Sequence, residues 1–87
     1  MTCYRVEVGR TAEKQIGRLE ASDRRRVIEA IVGLSADPRP QGCRKLRDLE
    51  DVYRIRVGSW RILYSVEDER VVVLVLKVGH RRDVYRM

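Results

Sequence analysis

Apolar and polar positions alternate with two different periods along this chain. Residues 3–8, CYRVEV, set Tyr4, Val6 and Val8 against Arg5 and Glu7, the period-two signature of a half-buried strand. The period then changes. Ala12, Ile16 and Leu19 recur at i, i+4 and i+7, the stripe of an amphipathic helix, with Thr11 as its expected N-cap. Ser22 is expected to cap a second helix, with Asp23 in the favourable first turn and Val27, Ile28, Ile31 and Leu34 along one face. Asp37-Pro38 is expected to end it, because the residue before a proline avoids the α region. A connector over 38–51 follows. Period two then returns in three segments, roughly 52–57, 60–67 and 70–78. Gly58-Ser59 suits a two-residue type II′ hairpin, which needs glycine first, and residues 67–70 form the next turn. The third segment, within VVVLVLKV, is apolar on both faces and is expected in the sheet interior.

Helices segregated from a run of strands predict an α+β fold. The expected architecture is an N-terminal strand and a two-helix hairpin packed on one face of a small twisted antiparallel sheet. The other face is left open. The whole chain, residues 1–87, is read as a single domain.

Side chains alternate along a strand, so the pattern also assigns faces. Tyr53, Ile55 and Val57 fall together with Trp60, Ile62, Tyr64 and Val66 on the core face. Arg54, Arg56 and Arg61 fall on the other face. On the third segment Val72, Leu74, Leu76 and Val78 are assigned to the core, and Val71, Val73, Val75 and Lys77 to the arginine face. No acidic residue occupies an outward position between 52 and 66. Cations gathered on one face repel one another, and guanidinium groups match phosphate bidentately, so the face is read as an anion-binding surface.

Composition sharpens this reading. The formal net charge is +6, with 8 basic and 6 acidic residues up to Cys43 and 11 and 7 beyond it. A strongly basic domain favours an anionic partner, nucleic acid being the commonest. Cys3 and Cys43 have no metal-site spacing and form no disulfide framework, so both are expected reduced. There is no signal peptide and no apolar run near 18 residues, and the chain is expected to be soluble and cytoplasmic, without a membrane contact.

Taken together, YRVEV, LSADPRP, CRKLRDLEDVYRIRVGSWRILYSV and VVVLVLKVGHRRDVY resemble the RelE/ParE superfamily of type II toxins, most closely its RelE branch. The resemblance spans nearly the whole chain. It implies the same helical hairpin on a twisted sheet. It also implies a ribosome-dependent endoribonuclease that cuts mRNA in the A site by 2′-OH attack, leaving a 2′,3′-cyclic phosphate and a 5′-OH. The family's basic positions correspond to Arg54, Arg56, Arg61 and Arg81, and its tyrosine to Tyr85. Arg61 and Arg81 are then the expected phosphate and transition-state contacts, with Tyr85 stacking on a base or bonding the 2′-OH. Arg44, Lys45, Arg47, Lys77 and Arg82 are expected RNA or ribosome contacts. The RelE branch carries lysines where this chain has Arg54 and Arg56. Arginine stays protonated in proteins and cannot act as a general base. His80, the only histidine, is a further candidate for acid–base work. The resemblance implies a RelB-like antitoxin, the ribosome and mRNA as partners, and no metal or organic cofactor. Two alternatives share the fold: a ParE-like DNA gyrase poison, and a weakly active homologue that chiefly binds its antitoxin.

Overall fold

The burial of alternate apolar residues under two helices organises the chain. A computed structural model describes residues 3–80. Among them lie, in order, β1 (Arg5–Val8), α1 (Arg10–Gly17), α2 (Ala21–Gly33), β2 (Arg44–Lys45), β3 (Val52–Val57), β4 (Trp60–Glu67) and β5 (Val72–His80). The strands form one sheet in the order β1-β5-β4-β3-β2. The β2–β3, β3–β4 and β4–β5 pairs are antiparallel, whereas β1 joins β5 in parallel, which makes the sheet mixed. A parallel partner requires a crossover, and α1 and α2 fall within the connection from β1 back to the sheet.

The helices cover one face. Ala12 and Leu19 from the α1 region and Val27, Ile31 and Leu34 from the α2 region pack with Ile55, Ile62, Tyr64, Val66, Val73, Val75 and Val78. The expected cap residues are displaced. α1 begins one residue earlier than Thr11, with extended Gly9 as N-cap. There the chain is pinned to β5: Gly9 N–H donates to the Val75 carbonyl at 2.8 Å, and a Cβ on Gly9 would sit 3.1 Å from that oxygen. α2 is capped by Glu20 rather than Ser22, and ends at Gly33 rather than at Asp37-Pro38. Ile28 lies outside the buried stripe of Val27, Ile31 and Leu34 and is 43% exposed.

The β3–β4 hairpin matches the sequence pattern in both bounds and register. Val57 pairs with Trp60 across Gly58-Ser59, and Gly58 has φ +60° while Ser59 keeps an ordinary negative φ, as a type II′ turn requires. β5 departs from expectation. Leu63 pairs with Lys77 but Tyr64 pairs with Val75, so Leu76 is an extra residue, a β-bulge. The bulge inverts the alternation on its N-terminal side. Val73 and Val75, assigned above to the arginine face, are fully buried under the helices. Val72 and Leu74 lie opposite Glu67 and Ser65 on the other face. β5 itself begins two residues later than expected, after a turn that extends to Val71 at φ +58°.

A polar clamp joins the far end of the sheet to the connector. Arg39 donates from both terminal nitrogens to Asp68, at 3.1 and 2.8 Å, and from Nε to the Tyr53 hydroxyl at 3.0 Å. Tyr4 donates to the same Asp68 carboxylate at 2.6 Å. These donors hold the Asp68 carboxyl below its usual range, Arg39 contributing most. Buried Tyr64 donates to the Pro38 carbonyl at 2.8 Å, and its burial pushes the phenol pKa up.

Two outcomes follow. Val73→Asp places a carboxylate in the core and should abolish the cooperative thermal transition, a burial penalty of several kcal/mol. Leu74→Asp should leave the transition in place, and circular dichroism melts of the two variants compare them directly. The second concerns pH. Because the folded pKa of Asp68 lies below its unfolded value of about 3.9, its contribution is complete above that value and disappears as pH falls through the folded pKa. Wild-type Tm measured from pH 6 to 2 should therefore fall more steeply below about pH 4 than the Tm of Asp68→Asn.

Candidate functional site

The same alternation that buries Ile55 and Ile62 turns the neighbouring arginines outward. Register then lines them up across strands. One row runs Arg44, Arg54, Leu63, Lys77 over β2, β3, β4 and β5; the next runs Arg56, Arg61, Gly79. Directly paired residues in an antiparallel sheet have Cβ atoms about 4.5–5.5 Å apart, so these cationic side chains share one patch. The bulge at Leu76 lies just beyond Lys77, which is why Lys77 keeps its expected face while Val73 and Val75 do not.

Arg56 is exposed, and Arg54, Arg61 and Lys77 are half-buried. The Nε of Arg61 is buried. Leu63, on this outward face, is only 3% exposed, flanked by Arg54 and Lys77, whose aliphatic stems suit such cover. A small cavity of about 110 Å³ opens at the hairpin tip among Arg56, Gly58, Ser59, Trp60 and Arg61. Charge is segregated along the sheet. The tip carries the arginines, while Asp51, Glu67, Asp68 and Glu69 gather with Arg70 at the other end.

Other expected site residues fall elsewhere. Lys45 pairs with Tyr53 and therefore shares the helix-side face, not the arginine face. Arg47 lies in the turn after β2. His80 pairs with Trp60, and their rings meet edge to face at 5.5 Å and 87°. Trp60 packs against the core from the helix side, so His80 lies on the opposite face from Arg61. Arg81, Arg82 and Tyr85 lie outside the described residues. Among the described residues no group of histidines, cysteines and carboxylates could hold a metal ion, and no helix is long and apolar enough to cross a membrane.

One cation at the tip escaped the sequence reading. Arg26, on α2, lays its guanidinium against the β3–β4 turn, with Nη2 2.9 Å from where a Gly58 Cβ would stand. Helical periodicity marks Arg26 only as a polar position; the contact depends on how the helix crosses the hairpin.

Comparison with known proteins places this architecture. Residues 6–85 match the family model described as the ParE toxin of the type II toxin–antitoxin system parDE. The chain belongs to the ParE toxin family. It is 34% identical over 84 residues to Toxin RelG of Mycobacterium tuberculosis, covering 95% of this chain and 97% of that one. It is also 34% identical over 86 residues to the mRNA interferase toxin RelE of Escherichia coli, covering 94% and 90%. The toxin–antitoxin complex RelBE2 from M. tuberculosis superposes with a TM-score of 0.82 at 33% identity, covering 95% of this chain and 97% of the matched one. The protein is thus a RelE-type toxin of a toxin–antitoxin system, with the two-helix, five-strand architecture of RelE structures.

Like charges directly opposite one another in a sheet are destabilising. Arg56→Gln should therefore raise stability by about 0.5 kcal/mol at low ionic strength, a gain that shrinks as salt screens the repulsion. Urea unfolding at two salt concentrations measures both effects.

Proposed function

We propose that this toxin is a ribosome-dependent endoribonuclease that cuts mRNA in the A site. The observation that carries the reading is the row of Arg56 directly opposite Arg61, beside Arg54 and Lys77, on a sheet face whose hairpin half holds no acidic residue among the described positions. Such a face is suited to a phosphodiester. The naming of a 34%-identical relative as an mRNA interferase supports RNA as its source.

In the proposed reaction the ribose 2′-oxygen attacks the adjacent phosphorus as it loses its proton. The bond to the 5′-oxygen breaks, and that oxygen takes up a proton. The products are a 2′,3′-cyclic phosphate and a 5′-hydroxyl. Arg61 contacts the phosphate, and its part-buried guanidinium is held ready for the charge that develops on the phosphorane oxygens. Arg54 and Arg56 neutralise the flanking backbone, and Arg81 and Tyr85 are assigned to the leaving oxygen and the base or 2′-hydroxyl. Arginines cannot accept the 2′-proton, and His80 lies on the other face. The toxin's own contribution is therefore electrostatic and positional, and the proton passes to solvent or a ribosomal group. A RelB-like antitoxin is the proposed partner, as in the RelBE complexes of related toxins.

Purified toxin added to a bacterial cell-free translation reaction should produce cuts within codons, seen by primer extension, only where ribosomes are translating. Arg61→Ala should reduce the rate about 10²–10³-fold while remaining folded. Intact mRNA with folded wild-type protein would overturn this reading. Inhibition of gyrase supercoiling by that protein would then establish the ParE-like alternative.

A further inference from the structure

A groove runs beside the arginine face along the outer edge of β3. β2 is two residues long and pairs only with Tyr53 and Arg54, so beyond them the β3 edge borders α2 across an open space. That space is about 570 Å³, within the range of small-ligand sites. Ala30, Leu34 and Ile55 supply apolar lining, and Arg44, Arg54 and Arg56 supply cations. Among the described residues no acidic side chain lines it.

Both ends are cationic. Arg44 stands at one end with the Pro40–Gly42 loop. At the other, Arg26 lies one helical turn before Ala30 on the same stripe of α2 and rests on Gly58, two residues past Arg56. An inorganic anion would not need the apolar lining, and an apolar ligand would not need cations at both ends. A nucleotide uses both: its base covers apolar surface while its backbone phosphates meet guanidinium groups.

We propose that this groove binds a nucleotide of an RNA strand flanking the phosphate held on the arginine face, with Arg26 and Arg44 gripping the backbone. The inference rests on the RNA-cutting reading and extends its substrate contacts round the edge of the sheet. The strand is the mRNA itself, because the groove opens beside the face that holds the phosphate to be cut, and Arg54 and Arg56 belong to both.

Gly33 allows a plug. It lines the groove, and a Cβ there would meet nothing within 4 Å, so Gly33→Leu fills the space without an internal clash. The probe is a bacterial ribosome programmed with an mRNA whose A-site codon carries 2′-O-methyl groups and cannot be cut. A matched ribosome carries an mRNA ending at the preceding codon. Binding is measured across a salt series. Gly33→Leu should weaken binding about tenfold with an unchanged salt slope. Arg26→Ala and Arg44→Ala, both exposed changes, should each lower the slope of log Kd against log salt by about 0.7. Losses seen only with the full-length mRNA support mRNA in the groove; equal losses on both ribosomes would place ribosomal RNA there and overturn the inference. Wild-type affinity and slope in all three folded variants would overturn the inference and leave the cutting activity standing. So would a Gly33→Leu protein that loses its antitoxin but keeps its ribosome, because the groove would then take a protein segment. A wild-type toxin whose ribosome binding ignored salt would overturn the proposed function and this inference with it.

Discussion

Burial of Ile55, Ile62, Tyr64 and Val78 beneath the helical hairpin is the constraint from which the site follows. In a pleated strand a residue cannot change face unless its neighbours do. Holding these apolar side chains against Val27, Ile31 and Leu34 therefore holds Arg54, Arg56 and Arg61 on the opposite side. No local interaction among the arginines is needed to place them, and their mutual repulsion works against it. The core supplies the free energy, and the cationic face is carried at its expense. Such an arrangement is common at functional sites, where local rules are broken and the rest of the molecule compensates.

The register of β3 against β4 was legible because it rests on short-range information: alternation with strong β-formers and a two-residue turn with glycine first. The N-caps were not legible: propensity favoured Thr11 and Ser22, and Gly9 and Glu20 hold the positions. Gly9 displaces Thr11 because the backbone there is already bound to Val75 of β5, a contact between distant segments. The bulge at Leu76 was hidden for a related reason. VVVLVLKV is apolar on both faces, so sliding the pattern by one residue changes nothing in it, and only the two ends of β5 reveal the slip. Lys77 and Val78 obey one parity, Val73 and Val75 the other. Two-residue β2 has too little pattern to detect. Within the site, the face carried by the β3–β4 hairpin could be read from sequence. Arg26 could not, since its position at the hairpin tip depends on how α2 crosses the sheet.

Charge segregation along the sheet gives the molecule an electrical direction. Arginines dominate the hairpin tip, while carboxylates collect at the β4–β5 turn, where Arg39 and Tyr4 restrain Asp68. A polyanion approaching from solution is drawn to one end and turned away from the other, so orientation is partly set before contact. The clamp at the acidic end also ties the connector carrying Arg39 to the start of the chain, which steadies the frame on which the arginines stand.

The parallel pairing of β1 with β5 has a consequence for synthesis. Arg5 is paired with Val72, so the first strand finds its partner only after both helices and three further strands have been made. Until then its edge stays uncovered and the core lacks Val73, Val75 and Val78, and the contact order of this pairing makes it slow to form. A nascent toxin is thus an unfinished sheet, and any product cut short before β5 lacks both the partner of β1 and the strand that sets Lys77 beside the arginines.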